Sequence, residues 1–156
     1  MPGSLLTYAT ALDYLLSLGV RFSLIGRSAL TFSGEAPAGQ AYPVLLVEGD
    51  AQGNESQQTP GLDVFTAAVQ VLAMPASSEP TTEQLQALLV ETNTWVDMLS
   101  EQLRQERSGQ LAGVNKLCLP GIAGGAMACG WRVELQLKLA KQLNRTTNGA
   151  LFAPES

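Results

Sequence analysis

The ten residues from Trp131 to Ala140 (WRVELQLKLA) are the strongest constraint on the fold of this chain. Large apolar residues alternate with polar or charged ones, a period of two that is typical of a β-strand with one buried and one solvated face. The pattern predicts a strand at residues 131–140. Its predicted antiparallel partner is Val114–Leu119, joined to it by the glycine-rich segment 120–130.

Residues 82–107 carry the clearest helical pattern in the sequence. Apolar residues recur at alternating spacings of four and three, and Thr81 and Gln84 are placed to form a capping box before the first turn. We expect the apolar stripe at 85–103 to cover the apolar face of the sheet, because such a face needs a cover. The alternative is a coiled coil with another chain, since the stripe covers about three heptads.

The remaining segments carry weaker patterns. A helix is predicted at residues 5–18, with Ser4 as its N-cap and Gly19 as its C-terminal residue. The other predicted elements are a strand or hairpin at 20–25 and 29–32, a loop at 33–41, a buried strand at 42–48, a polar surface loop at 49–61 and a central strand at 62–74.

These elements predict an α+β fold. Its mixed, mainly antiparallel sheet of about four to six strands is covered by a short N-terminal helix and one long helix at about 82–107. We expect residues 1–140 to form this single domain, and residues 141–156 to form a C-terminal arm or tail.

The sequence does not assemble a recognisable catalytic site. It contains no histidine, the usual general base of serine and cysteine hydrolases and the commonest metal ligand. Glu48, Asp50 and Asp63 lie at predicted strand ends where they could meet a divalent cation, but their spacing matches no calcium loop, and solvated positions are the favoured interpretation. Gly121–Gly130 lacks the phosphate-loop patterns and precedes a strand, which favours a flexible hairpin loop. We therefore predict neither an enzyme nor a bound cofactor or metal.

Charge and hydropathy limit the partners. The formal net charge of -5 opposes binding to nucleic acid. No stretch approaches the roughly 20 apolar residues of a membrane-spanning helix, and no basic region precedes the first apolar run, so we predict a cytoplasmic protein without a signal peptide or membrane contact. For Cys118 and Cys129 we favour two reduced thiols and leave a disulfide open.

The polar face of the predicted strand at 131–140 carries the notable basic grouping of the sequence. Acidic Glu134 dilutes it, and no aromatic residues interleave with it as a single-strand nucleic-acid binder requires. We interpret it as a solvated sheet face that pairs with an acidic partner. The candidate subunit contacts are Arg132, Glu134, Lys138, Lys141, Arg145, Glu48 and Asp50.

The order of elements, the size, the strand YPVLLVE at 42–48, the long helix and the closing segment GWRVELQLKLAKQLNR at 130–145 resemble small phage tail proteins of the tail-terminator and head-tail joining kind. The resemblance extends over most of the chain, at the level of layout. It implies a non-catalytic subunit of a homo-oligomeric ring, commonly six-fold, that caps the tail tube and offers a surface to the head connector. Assembly in the host cytoplasm and a final place in the virion tail or neck are further implications, as are contacts through sheet edges, the loops of 40–60 and the C-terminal arm.

Two other classes of function stay open. The first is a small-ligand-binding module, in which the sheet and the long helix enclose an apolar ligand and the glycine-rich loop forms a lid. An enzyme that uses carboxylates and a metal ranks third. Self-association separates the ring subunit from the ligand-binding module, because a ring requires it.

Overall fold

The computed structural model describes residues 5–55, 61–120, 127–141 and 150–155. Its elements are α1 (Tyr8–Arg21), β1 (Ser28–Thr31), β2 (Val44–Glu55), β3 (Leu62–Ala73), α2 (Thr82–Glu106), β4 (Leu111–Leu119) and β5 (Cys129–Ala140). The strands form one sheet in the order β1-β2-β3-β5-β4, in which β1 and β2 are parallel and the other neighbours antiparallel. This confirms the predicted α+β class with a mainly antiparallel sheet.

The long helix lies across the sheet as predicted. At its start, the Gln84 amide donates a hydrogen bond to Thr81 Oγ1 at 3.2 Å, and the Thr81 amide donates one to Gln84 Oε1 at 2.9 Å, which completes the capping box. Buried side chains of α2 and β5 belong to one apolar cluster, to which they contribute Trp95, Val96, Leu99, Leu103, Val133, Leu135, Leu137 and Leu139. The stripe of α2 is thus buried within its own chain from Thr92 to Leu103 and partly buried at 85–89, against the coiled-coil alternative.

The N-terminal helix occupies residues 8–21 rather than 5–18, with Thr7 as its N-cap. The prediction of a strand at 20–25 is therefore wrong, because the end of the helix and the turn that follows it occupy these residues. The extended piece predicted at 29–32 is confirmed as β1. Amphipathic spacing located this helix, whereas its ends depend on tertiary contacts that spacing does not report.

The two residues predicted to end α1 have different outcomes. Ser4 lies outside the described residues, and Gly19 lies inside the helix, where it is buried. A Cβ atom at Gly19 would lie 2.7 Å from the Cβ of Leu45 and 2.9 Å from that of Ser28. Gly19 therefore serves close packing of α1 on the sheet, and this packing outweighs the roughly 1 kcal/mol by which glycine disfavours a helix interior.

Strand β2 continues through residues 49–55, which were predicted to be part of a polar loop. Two glycines accept aromatic rings from neighbouring segments along this extension. A Cβ atom at Gly49 would overlap the ring of Phe32, and one at Gly53 would overlap the ring of Phe65. Aromatic rings that lie over glycine backbone compensate for the missing side chains, so this part of β2 pairs with β3 despite its polar composition.

Glu106, at the end of α2, connects the two helices. Its carboxylate accepts hydrogen bonds from both terminal nitrogens of Arg21, at 2.6 and 2.7 Å, and from the hydroxyl of Tyr14 at 2.6 Å. The Arg21 hydrogen bonds, with help from Tyr14, hold the pKa of Glu106 at about 2 although burial opposes this. Burial and the bond to Glu106 raise the pKa of Tyr14 to about 12.

Candidate interaction surface

One face of the sheet is turned away from both helices, and we call it the open face. Side chains alternate along each strand, so residues that flank the buried positions of β5 point to it. The strand register places Gln70 beside Arg132 and Ala68 beside Glu134. Its polar side chains include Glu48, Asp50, Gln52, Thr66, Gln70, Asn115, Arg132, Glu134, Gln136 and Lys138.

A buried ion pair lies at the centre of the open face. Glu48 is only 6% exposed, and the Arg132 guanidinium donates two hydrogen bonds to its carboxylate, from Nε and from Nη2, each at 2.9 Å. Gln70 Nε2 donates a third at 3.2 Å and a further one to the carbonyl of Gly34 at 2.7 Å. A two-point contact between a guanidinium and a carboxylate is the strong and directional form of such a pair.

The electrostatics of this pair keep both groups charged. Burial alone would raise the pKa of the Glu48 carboxyl, but the hydrogen bonds from Arg132 and Gln70 outweigh it, and the pKa lies below its usual value. The hydrogen bond to Glu48 raises the pKa of Arg132 against the opposing effect of burial. A charged, oriented group is therefore fixed in the surface before any partner binds.

A shallow depression of about 210 Å³ lies beside this pair. It is lined by Asp50, Gln52, Thr66, Ala68, Arg132 and Glu134. Arg132 Nη1 lies 3.6 Å from Glu134 Oε1, so the same guanidinium stands between two carboxylates. Because Glu48 already balances the charge of Arg132, Asp50 and Glu134 leave the depression net negative. Its chemistry suits a cationic side chain of a partner.

The open face becomes apolar near the start of β2. Val44, Leu46 and Leu72 form a second buried cluster there, and Tyr42 and Ala36 from the preceding loop pack against it. The loop is fastened to the sheet by the hydrogen bond from Gln70 to Gly34 described above. The exposed polar area is thus confined to the middle and the far end of the sheet.

Four of the seven predicted contact residues come together at the centre of the open face. They are Glu48, Asp50, Arg132 and Glu134. Hydrogen bonds or charge proximity connect them, although the chain separates Glu48 from Arg132 by 84 positions. These residues of β2 and β5 meet on one surface because only β3 lies between the two strands in the sheet.

The three remaining predicted contacts do not join this cluster. Lys138 lies on the open face further along β5, opposite Val64. Lys141 Nζ lies 3.9 Å from Asp63 Oδ1 just beyond the end of β5. Arg145 lies outside the described residues. The predicted basic grouping is thus divided, since Glu48 engages Arg132 and an acidic neighbour stands beside Lys141.

Gln70 belongs to the candidate surface, although the sequence pattern alone did not single it out. It is 8% exposed and holds both Glu48 and the loop carbonyl of Gly34. A signal for it exists, because Gln70 is the polar residue that interrupts the apolar half of the predicted strand at 62–74. A buried amide in such a run is expected to have hydrogen-bond partners.

Two of the three carboxylates considered for a metal site lie beside cations of the chain. Glu48 binds Arg132, and Asp63 lies near Lys141. Over the described ranges, no three or more histidine, cysteine, aspartate or glutamate side chains are grouped so that they could hold a metal ion.

The space between the helices and the sheet is nearly filled. A cavity of about 20 Å³ lies there, lined by apolar side chains of α1, α2 and the strands such as Leu15, Leu103 and Val133. Pockets that hold small molecules measure roughly 300–1,000 Å³. The apolar core of the described residues therefore has no enclosed space of that size, and the larger depressions, of about 350 Å³ between α1 and α2 and about 410 Å³ between α2 and β4, are open to solvent.

No family model, curated protein or solved structure matches this chain. In the part of the chain that the structure describes, neither helix combines the length and the apolar character of a membrane span. The geometry of the domain and its exposed surfaces are therefore what bears on its function.

Proposed function

We propose that this chain is a structural, non-catalytic subunit of a phage tail or phage-tail-like assembly. It forms a homo-oligomeric ring, for which we propose six copies of the chain. The ring acts as a tail terminator or head-tail joining protein and caps the tail tube. Its partners are further copies of itself, the tail tube and the head connector. It is assembled in the host cytoplasm and ends in the virion tail or neck.

The observation that carries this proposal is the asymmetry of the sheet. Two helices cover one face and fill its core, whereas the middle and far end of the open face are exposed, and the edge strands β1 and β4 each have one strand neighbour among the described residues. The oriented pair of Glu48 and Arg132 in the open face is the kind of preformed polar group that fixes register between subunits. A ring subunit needs such surfaces, because each copy presents two different sides to its neighbours.

The charge of the chain is compatible with a ring around a DNA path. The formal net charge is -5, and several of its cations are held by carboxylates of the same chain, as Arg132 is by Glu48 and Arg21 by Glu106. Nucleic-acid affinity depends on cations that neutralise phosphates. A conduit built from such subunits would let DNA pass without binding it tightly.

The experiment that tests the proposal is a mass measurement of the purified chain in solution at several concentrations, with electron microscopy of the same sample. We expect closed rings whose mass is a whole multiple of the chain mass, and a population that rises with concentration. A monomer at every concentration, with a melting temperature that rises on addition of a small ligand or divalent ion, would contradict it.

A further inference from the structure

The two edges of the sheet carry little of the charge that commonly guards an edge strand, although β1 is only four residues long and β4 contains an irregularity at Leu111/Gly113. β1 and β4 each have a single strand neighbour, β2 and β5 respectively, among the described residues. Uncovered edges invite pairing with another chain, and monomeric proteins commonly guard them with charged side chains. β1 contains no charged residue, and Lys116 of β4 is turned onto α2, where it binds Asn93 and Asp97. Neither edge therefore presents a free charge in its described strand.

Exposed apolar side chains mark the same two edges. In the described strands, the large apolar residues that remain exposed are Leu30 of β1, at 39%, and Leu117 of β4, at 59%. Scattered exposed leucines need no explanation. These two, however, lie on the two edge strands and not on the inner strands. An additional strand paired with either edge would cover them.

The edges run in opposite directions. β1 is parallel to β2, and three antiparallel steps lead from β2 through β3 and β5 to β4. In a head-to-tail arrangement about an axis along the strands, β4 of one copy would therefore meet β1 of the next in antiparallel orientation, with the helices of both copies on the same side. Antiparallel pairing is the more stable kind per residue.

The side chains on the two edges are compatible with this pairing. Ser28 donates a hydrogen bond to the Leu16 carbonyl of α1, so Leu30, two residues on, lies on the helix side of the sheet. Leu117 is opposite Arg132 and therefore lies on the open face. In the joined sheet, Leu30 would meet the helix-side residues of β4, and Leu117 would meet the apolar cluster beside β1, which includes Ala29.

We infer that neighbouring copies in the ring are joined by antiparallel pairing of β4 of one copy with β1 of the next. The occupant of each edge is thus a second copy of this chain, and the open faces form one continuous wall of the ring. This inference rests on the proposed ring function and adds to it the surface by which copies associate.

Disulfide cross-linking tests the pairing, because helix-side residues of β4 are the native Cys118 and the positions of Val114 and Lys116. Leu30→Cys is combined with native Cys118, or with Val114→Cys or Lys116→Cys in a Cys118→Ser background. Directly opposite side chains in an antiparallel pair approach closely enough for a disulfide. Cys129 stays in all variants, since it is fully buried and burial raises the pKa of its thiol.

We expect one of the three combinations to shift from the monomer band to dimer and higher bands on a non-reducing gel after mild oxidation. The matched control is Leu30→Cys with Leu117→Cys in the Cys118→Ser background, which should stay monomeric because the two side chains lie on opposite faces. Circular dichroism and thermal melting verify that each variant folds like the wild type.

The possible failures are distinguishable. Wild-type rings without a cross-link in any combination would overturn the edge pairing and leave the ring function standing. Cross-links that form without Leu30→Cys would show pairing of β4 with β4 of another copy and also overturn the inference. Absence of rings in the wild type would remove the proposed function, and the inference with it.

Discussion

The two faces of the sheet are stabilised by different interactions, and strand β5 contributes to both. On the helix side, Leu135, Leu137 and Leu139 are at most 4% exposed and pack under α1 and α2. On the open face, Arg132 is engaged by ion pairs and Gln136 is exposed. The helix side contributes the burial of apolar surface, which gives a large stabilisation that does not depend on the orientation of the groups. The open face contributes oriented polar groups, which add less stability and more specificity.

The two faces therefore differ in what their residues can do: the helix side stabilises the fold, and the open face is accessible to other molecules. A single strand can carry both, because its period of two assigns alternate residues to opposite surfaces. Changes on the helix side should therefore act on unfolding, and changes on the open face and edges should act on association.

The largest expected effect is on the helix side of β5. Leu137→Ala removes a fully buried side chain from the core, and we expect the free energy of unfolding to fall by about 3 kcal/mol, as large-to-small core substitutions do. The matched control is the neighbouring Gln136→Ala on the open face, expected within about 0.5 kcal/mol of wild type. Urea unfolding of both variants measures this, and equal effects would break the distinction between the faces.

The buried ion pair should give the next largest effect, with an asymmetry between its partners. Arg132→Met leaves the buried Glu48 carboxylate without its cation and should cost about 2 kcal/mol. Glu48→Gln should cost less, because Arg132 is 33% exposed and can be solvated. The double variant should be more stable than the sum of the single effects predicts. A larger loss from Glu48→Gln than from Arg132→Met in urea unfolding would contradict this assignment.

The elements that sequence alone predicted are those with local signals. The capping box of Thr81 and Gln84 and the alternation at 131–140 each depend on residues within a few positions, and both are confirmed. The central strand at 62–74 is also confirmed as β3, since its β-branched and small apolar residues favour a strand and Pro75 follows its end.

The elements that sequence missed depend on contacts between distant segments. The end of α1 depends on the packing of Gly19 against Leu45, and residues 49–55 stay extended because rings from other segments cover Gly49 and Gly53. For the candidate surface, sequence identified the charged residues of strands β2 and β5. It did not identify the pairing of Glu48 with Arg132, because that pairing requires the strand order.

A third test concerns the helix side at acidic pH. The pKa of Glu106 lies at about 2, below its ordinary value of 4.5, so its bonds to Arg21 and Tyr14 contribute stability above pH 4.5 that is lost as the pH falls towards 2. Glu106→Gln should cost about 1 kcal/mol at neutral pH, since Arg21 is half exposed. Unfolding curves from pH 7 to pH 2 should show the difference between variant and wild type shrinking with acidity. If the difference in the free energy of unfolding stays constant over this pH range, the contribution of Glu106 does not depend on its charge.

A substitution at the β4 edge should have the smallest effect on the stability of the isolated chain and a clear effect on association. Leu117→Gln removes an exposed side chain, so the free energy of unfolding of the isolated chain should stay within about 0.5 kcal/mol of wild type. If β4 pairs with β1 of the next copy, this leucine becomes buried, and its loss should raise the concentration at which rings form by at least about tenfold. Met98→Gln is the matched control, because Met98 is 48% exposed on α2, on the side of that helix that faces α1. Light scattering over a dilution series measures both variants. If rings of both variants form at the same concentration, the contact between copies does not involve the β4 edge, because only Leu117 lies on the edge that the neighbouring copy is expected to cover.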